Sequence, residues 1–146
     1  GTFAGETLSL AAANAVIDKY KDKDVIDYFH KIGSYLIKEL NQLIEYENLG
    51  VYFGVLGHPS WSFLQIKEQQ NYTSFEIRTF FEQEMFKRGI LTLGSHNISF
   101  SHSKNDIDIL LKVYKAVLPL IKKYIEQEKL LENIHCDILQ PLFKVR

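Results

Sequence analysis

The sequence predicts an α+β fold, a small antiparallel sheet covered by helices, preceded by one helix that belongs to a larger neighbour. Three observations predict it. Stretches with apolar residues at three- and four-residue spacing alternate with short β-branched and aromatic runs. The strand-like runs come in adjacent pairs around turn residues, as antiparallel hairpins do. The first helical stretch is rich in alanine, and the chain offers it no obvious sheet to pack on.

Residues 8–18 are dense in helix formers, and Glu6 and Thr7 suit a helix start, so a first helix is expected over about 6–20. Ala11, Ala12, Ala13 and Ala15 let a neighbouring element approach closely. Lys21-Asp22-Lys23-Asp24 is a charged break. A second helix is expected over about 24–47, where Val25, Ile26, Phe29, Ile32, Leu36, Leu40, Leu43 and Ile44 recur at helical spacing. Asn48-Leu49-Gly50 stops it. Residues 51–56 are β-branched and aromatic, Gly57-His58-Pro59-Ser60 is a turn, and residues 61–67 alternate apolar with polar.

Thr73 and Glu76 have the spacing of a capping box, opening a third helix that ends at Gly89. Residues 90–93 and 98–100 are expected to be short strands flanking a turn at Gly94-Ser95-His96-Asn97. Ser103, with Asp106 three positions on, caps a last long helix. Its stripe is Ile107, Leu110, Leu111, Tyr114, Leu118, Ile121 and Ile125, and Pro119 within it is expected to kink it. Residues 129–146 form a tail whose apolar residues must pack on this domain or on a partner.

The totals exclude several functions. The chain has 146 residues with 46% hydrophobic and 24% charged, enough for one domain with a core. A net charge of −1 gives no bulk attraction to nucleic acid or to an anionic membrane. No apolar run approaches the roughly 18–20 residues of a membrane span. Cys136, the single cysteine, cannot form an internal disulfide, and a reduced thiol in a cytoplasmic protein is the simplest reading. Five scattered histidines lack the paired spacing of a metal site, so no metal is expected.

Among individual residues, His96 is read as a turn histidine, with lining of an active-site entrance beside Ser95 as the sharper alternative. His102 is read as holding a strand-to-helix turn, and His58 as a turn residue. Trp61 reads as packing. Arg78 and Arg88 could pair with a substrate carboxylate, but local salt bridges are the simpler reading.

The segment Gly1-Thr2-Phe3-Ala4-Gly5-Glu6-Thr7-Leu8-Ser9-Leu10-Ala11-Ala12-Ala13 resembles part of the class III aminotransferases, fold-type I enzymes that use pyridoxal phosphate. The resemblance is greatest to the glutamate-1-semialdehyde 2,1-aminomutases. It continues through Arg88-Gly89-Ile90-Leu91, Gly94-Ser95-His96-Asn97 and Ile98 to Ser103, then Asp106-Ile107-Asp108, covering about residues 1–126 in order. The opening residues therefore read as an interior turn of a longer enzyme, of which this chain is the C-terminal part.

The resemblance implies that residues 1–22 edge a large cofactor domain, residues 23–128 form the small C-terminal domain, and residues 129–146 extend it. It implies that Thr2, with the close backbone approach allowed by Gly1, contacts the cofactor phosphate of the other subunit of a homodimer. A phosphate suits that place, because it needs hydroxyl and backbone donors and favours a helix N-terminus. The chain has Glu6-Thr7 where many aminomutases have Asn-Pro. In the family, the lysine that holds the cofactor and the acid facing its pyridine nitrogen precede the Gly-Thr-Phe motif. No catalytic residue is then expected in this segment, and it alone is expected to bind no pyridoxal phosphate and to be inactive. Lys31-Ile32-Gly33 has one glycine, sits within an amphipathic helix and follows Thr2, so it is not that lysine. The expected partners are a second copy and, for the whole enzyme, a small amino substrate. A non-catalytic α+β binding or dimerisation module is the alternative.

Overall fold

The computed structural model describes residues 2 and 5–141. The order is α1 (Thr7–Asp22), α2 (Val25–Tyr46), β1 (Phe53–His58), β2 (Trp61–Ile66), α3 (Ser74–Lys87), β3 (Ser95–Asn97), α4 (Lys104–Glu126) and a 3-10 turn (Leu131–Asn133). Strands β1, β2 and β3 form one antiparallel sheet in that order. The predicted α+β class is the observed one.

Helices α3 and α4 begin where their caps dictate. Thr73 and Glu76 form a reciprocal capping box at α3, and Ser103 and Asp106 form one at α4. Helix α2 buries Val25, Ile32, Leu36, Leu40 and Ile44 of the stripe its periodicity predicts, and Gly33 beside it, whereas Ile26, also expected on that stripe, is exposed. Helix α4 runs continuously through Pro119. Helices α2, α3 and α4 cover one face of the sheet. Leu40, Phe53, Leu64, Phe80, Phe81, Met85, Tyr114, Leu118 and Ile121 meet there in the main core. Each such buried side chain stabilises the fold by roughly 2–3 kcal/mol. Phe81 stacks on Tyr114 with ring centroids 5.9 Å apart.

Strand β1 pairs with β2 from Phe53 opposite Ile66 to His58 opposite Trp61, so the turn shrinks to Pro59-Ser60. The alternation of β2 is clean. Ser62 and Leu64 face the core, while Trp61 and Phe63 face outward and lean on each other. Trp61 is therefore exposed, contrary to the packing role read from sequence.

One expectation fails plainly. Residues 90–93 and 98–100 are not strands, and the supposed turn residues Ser95, His96 and Asn97 are the strand. They pair with Phe63, Ser62 and Trp61. Gly94, at φ +78°, passes its carbonyl to the Leu64 amide and starts the pairing, while Leu91 and Leu93 point to solvent. Short polar residues can form a strand when their side chains find buried partners, as His96 does.

Helix α1 is the exception to burial. None of its residues is buried, with Leu8 75% and Leu10 55% exposed. Among the described residues, no helix is long and apolar enough to cross a membrane.

Candidate functional site

The N-terminal motif is described at Thr2 and from Gly5 onward; Gly1 lies outside the described residues. Thr2 sits in an exposed turn. Glu6 caps α1 with its own carboxylate, accepting from the Leu8 amide at 3.0 Å and the Ser9 amide at 2.6 Å. The hydrogen bonds from Ser9 and Leu8 hold its carboxyl below the usual range. Two of the first-turn amides that could attract a phosphate, those of Leu8 and Ser9, are thus given to a carboxylate.

A second candidate place is a cleft of about 360 Å³ between α2, the 90–98 segment and the start of α4. Leu36, Ile98, Ile107 and Leu110 give it apolar walls, and Ser95, His96, Asn97 and His102 give it polar ones. Both entrance candidates, Ser95 and His96, line it, but they differ in access. Ser95 is exposed, whereas His96 is only 4% exposed and lies in β3 rather than in a turn.

His96 is held from both sides. Its Nδ1 lies 2.9 Å from the Ser62 hydroxyl and its Nε2 lies 2.7 Å from the Tyr114 hydroxyl. In a neutral imidazole one nitrogen donates and the other accepts, so either tautomer satisfies both contacts. Burial pushes the His96 pKa down to about 4 and the Tyr114 phenol up. At neutral pH the cleft therefore meets an uncharged histidine. Ser62 and Tyr114 escaped the sequence reading. Their signals were a serine at the core-facing position between Trp61 and Phe63, and a hydroxyl within the apolar stripe of α4.

The other candidates resolve into structural roles. His102 Nδ1 accepts from the Ser99 amide at 3.0 Å, and the Tyr28 hydroxyl donates to the His102 carbonyl, which fixes the turn before α4. Arg88 pairs with Glu84 at 2.6 Å. Lys31 is exposed, and the buried Gly33 two residues on serves packing.

No protein-family model matches the chain. The chain is 30% identical over 98 residues to ornithine aminotransferase 1 of Staphylococcus aureus, covering 65% of this chain and 21% of that protein. It is 28% identical over 129 residues to glutamate-1-semialdehyde 2,1-aminomutase of Methanosarcina acetivorans, covering 78% of this chain and 29% of that protein. The fold is similar to FumI of Sphingopyxis sp. MTA144, solved as a pyridoxal-phosphate internal aldimine, with TM-score 0.66 at 15% identity. That likeness covers 80% of this chain and 27% of the other. The chain is thus similar to the C-terminal part of class III pyridoxal-phosphate aminotransferases. It spans under a third of the length of each of these relatives.

Proposed function

We propose that this chain is the C-terminal segment of a pyridoxal-phosphate-dependent aminotransferase or aminomutase of the glutamate-1-semialdehyde aminomutase kind. The observation that carries the reading is the same likeness in sequence and in fold over about four-fifths of the chain. The cofactor, when bound, supplies an electron sink for chemistry at an amino-bearing carbon. In this reading residues 1–22 edge the large domain, residues 23–128 are the small domain, and residues 129–146 extend it. The burial pattern supports that division, since α1 buries nothing while the cores run from Ile32 to Leu130.

The role of this segment is then to cover and shape a site whose cofactor-holding lysine lies elsewhere in the enzyme. Treating the chain with pyridoxal phosphate and then borohydride is expected to leave only sparse, scattered lysine labelling in a peptide map. A stoichiometric adduct at one lysine would overturn the assignment of an inactive segment.

The exposed Leu8, Leu10, Ala12 and Val16 of α1 favour burial against another surface. The segment alone is expected to self-associate through them, and the pair of changes Leu10→Lys and Val16→Lys to shift it toward monomer. A monomer of the unaltered chain by light scattering at high concentration would remove this expectation.

A further inference from the structure

We propose that the Thr79–Gln83 face of α3 is a docking seat for a short non-helical peptide read through its main chain, and that the chain's own residues 133–139 are the strap that occupies it. The tail leaves the 3-10 turn at Asn133, and Ile134 is extended. The origin of the strap is fixed, because Leu130 is fully buried and Ile134 packs on the main core. Beyond that point, hydrogen bonds from two α3 side chains hold it.

The Gln83 carboxamide makes a paired contact. Its Nε2 donates to the Asn133 carbonyl at 2.9 Å, and its Oε1 accepts from the His135 amide at 2.7 Å. A carbonyl and the amide two residues later point to the same side of an extended chain, and a residue of a parallel strand bonds them in this pattern. Gln83 therefore acts as a one-residue strand edge. One helical turn away, the Thr79 hydroxyl donates to the Phe75 carbonyl at 2.7 Å and accepts from the Leu139 amide at 3.0 Å. The hydroxyl's proton is committed to its own helix, which leaves its lone pairs for an incoming amide. The strap runs antiparallel to α3, with a bend at Cys136 that fits four strap residues to one helical turn.

All three of these contacts go to main-chain atoms of the strap, so the seat reads conformation and not side-chain identity. The strap's side chains do not fill the seat. A cavity of about 410 Å³ remains between them and α3, lined by Glu82, Phe86 and Lys87 on the helix and by His135, Cys136 and Leu139 on the strap. A seat that bonds the backbone and leaves room for larger side chains is open to exchange with another peptide.

The full chain, labelled with a fluorophore at the exposed Cys136, tests this. An excess of free peptide with the sequence of residues 133–141 is expected to displace the strap and lower the label's anisotropy. Hydrogen exchange on the unlabelled chain is expected to show protected His135 and Leu139 amides. Gln83→Ala should speed exchange of the His135 amide at least tenfold while leaving α4 core amides unchanged. Unprotected exchange at both amides in the full chain would overturn the seat, and so would an anisotropy indifferent to excess peptide.

Discussion

Gly33→Ala is expected to lower the stability of the chain by about 2–3 kcal/mol. Helix propensity alone argues the opposite sign. Alanine within a helix is favoured over glycine by about 1 kcal/mol, so an open site would gain from the change. Gly33 is not an open site. A Cβ there would lie 1.7 Å from the Pro59 carbonyl oxygen and 2.4 Å from the Pro59 carbonyl carbon, both backbone atoms that cannot swing aside. The β1–β2 turn would have to lift off α2. That movement would strain the neighbouring contacts, including the Ile98 amide bonded to the Ser60 carbonyl at 3.1 Å and the edge-on pair of His30 and His58. The exposed neighbour Ser34 is the control, and Ser34→Ala should be neutral or slightly stabilising. Urea unfolding of the two variants beside the parent chain decides it. Equal midpoints for both would mean that the hairpin does not rest on the glycine.

Gly33 also marks how far the sequence could be read. The helices were legible because their rules are local. Thr73 with Glu76 and Ser103 with Asp106 announce their helix starts, and the Val25–Ile44 stripe announces the buried face of α2. What joins elements distant in the chain was not legible. Nothing near Gly33 indicates that Pro59, twenty-six positions on, will press against it. The β3 strand was missed for the same reason. Ser95-His96-Asn97 has turn composition, and only the partners Ser62 and Tyr114, brought from β2 and α4, make it a strand with a buried histidine. At the candidate site, Ser95 and His96 are neighbours in sequence, but the cleft they line is completed by Leu36 of α2 and Ile107 of α4, which only the fold brings there. That Glu6 would claim the first-turn amides of α1 depended on side-chain geometry.

His96 is expected to make the fold acid-sensitive above the pH range where carboxylates act. In the unfolded chain its imidazole takes up a proton near the ordinary value of 6.5, while in the folded chain burial delays that uptake to about 4. Between those values the unfolded state binds more protons, so stability falls as pH falls. The contribution is fully present above about 6.5, declines by about 2 kcal/mol on reaching pH 5, and ends about 3 kcal/mol lower once pH passes below 4. Asp106 and Asp108 are held low by their hydrogen bonds to Ser103 and Lys104, so they lose their stabilisation as pH falls below the ordinary aspartate value of 3.8. Burial holds the Glu82 carboxyl above its ordinary 4.5, which acts with the opposite sign, so the His96 contribution is the part of the fall between 6.5 and 5 that His96→Gln removes. Urea midpoints across that interval should fall more steeply for the parent chain than for His96→Gln, whose amide can still bond Ser62 and Tyr114 without titrating. A glutamine variant with the same slope as the parent chain would refute the assignment. Tyr114→Phe gives the complementary result at neutral pH. It leaves a buried ring nitrogen unpaired and should cost about 1–3 kcal/mol. The same histidine lines the cleft, so whatever enters there at neutral pH meets a fixed, uncharged imidazole edge.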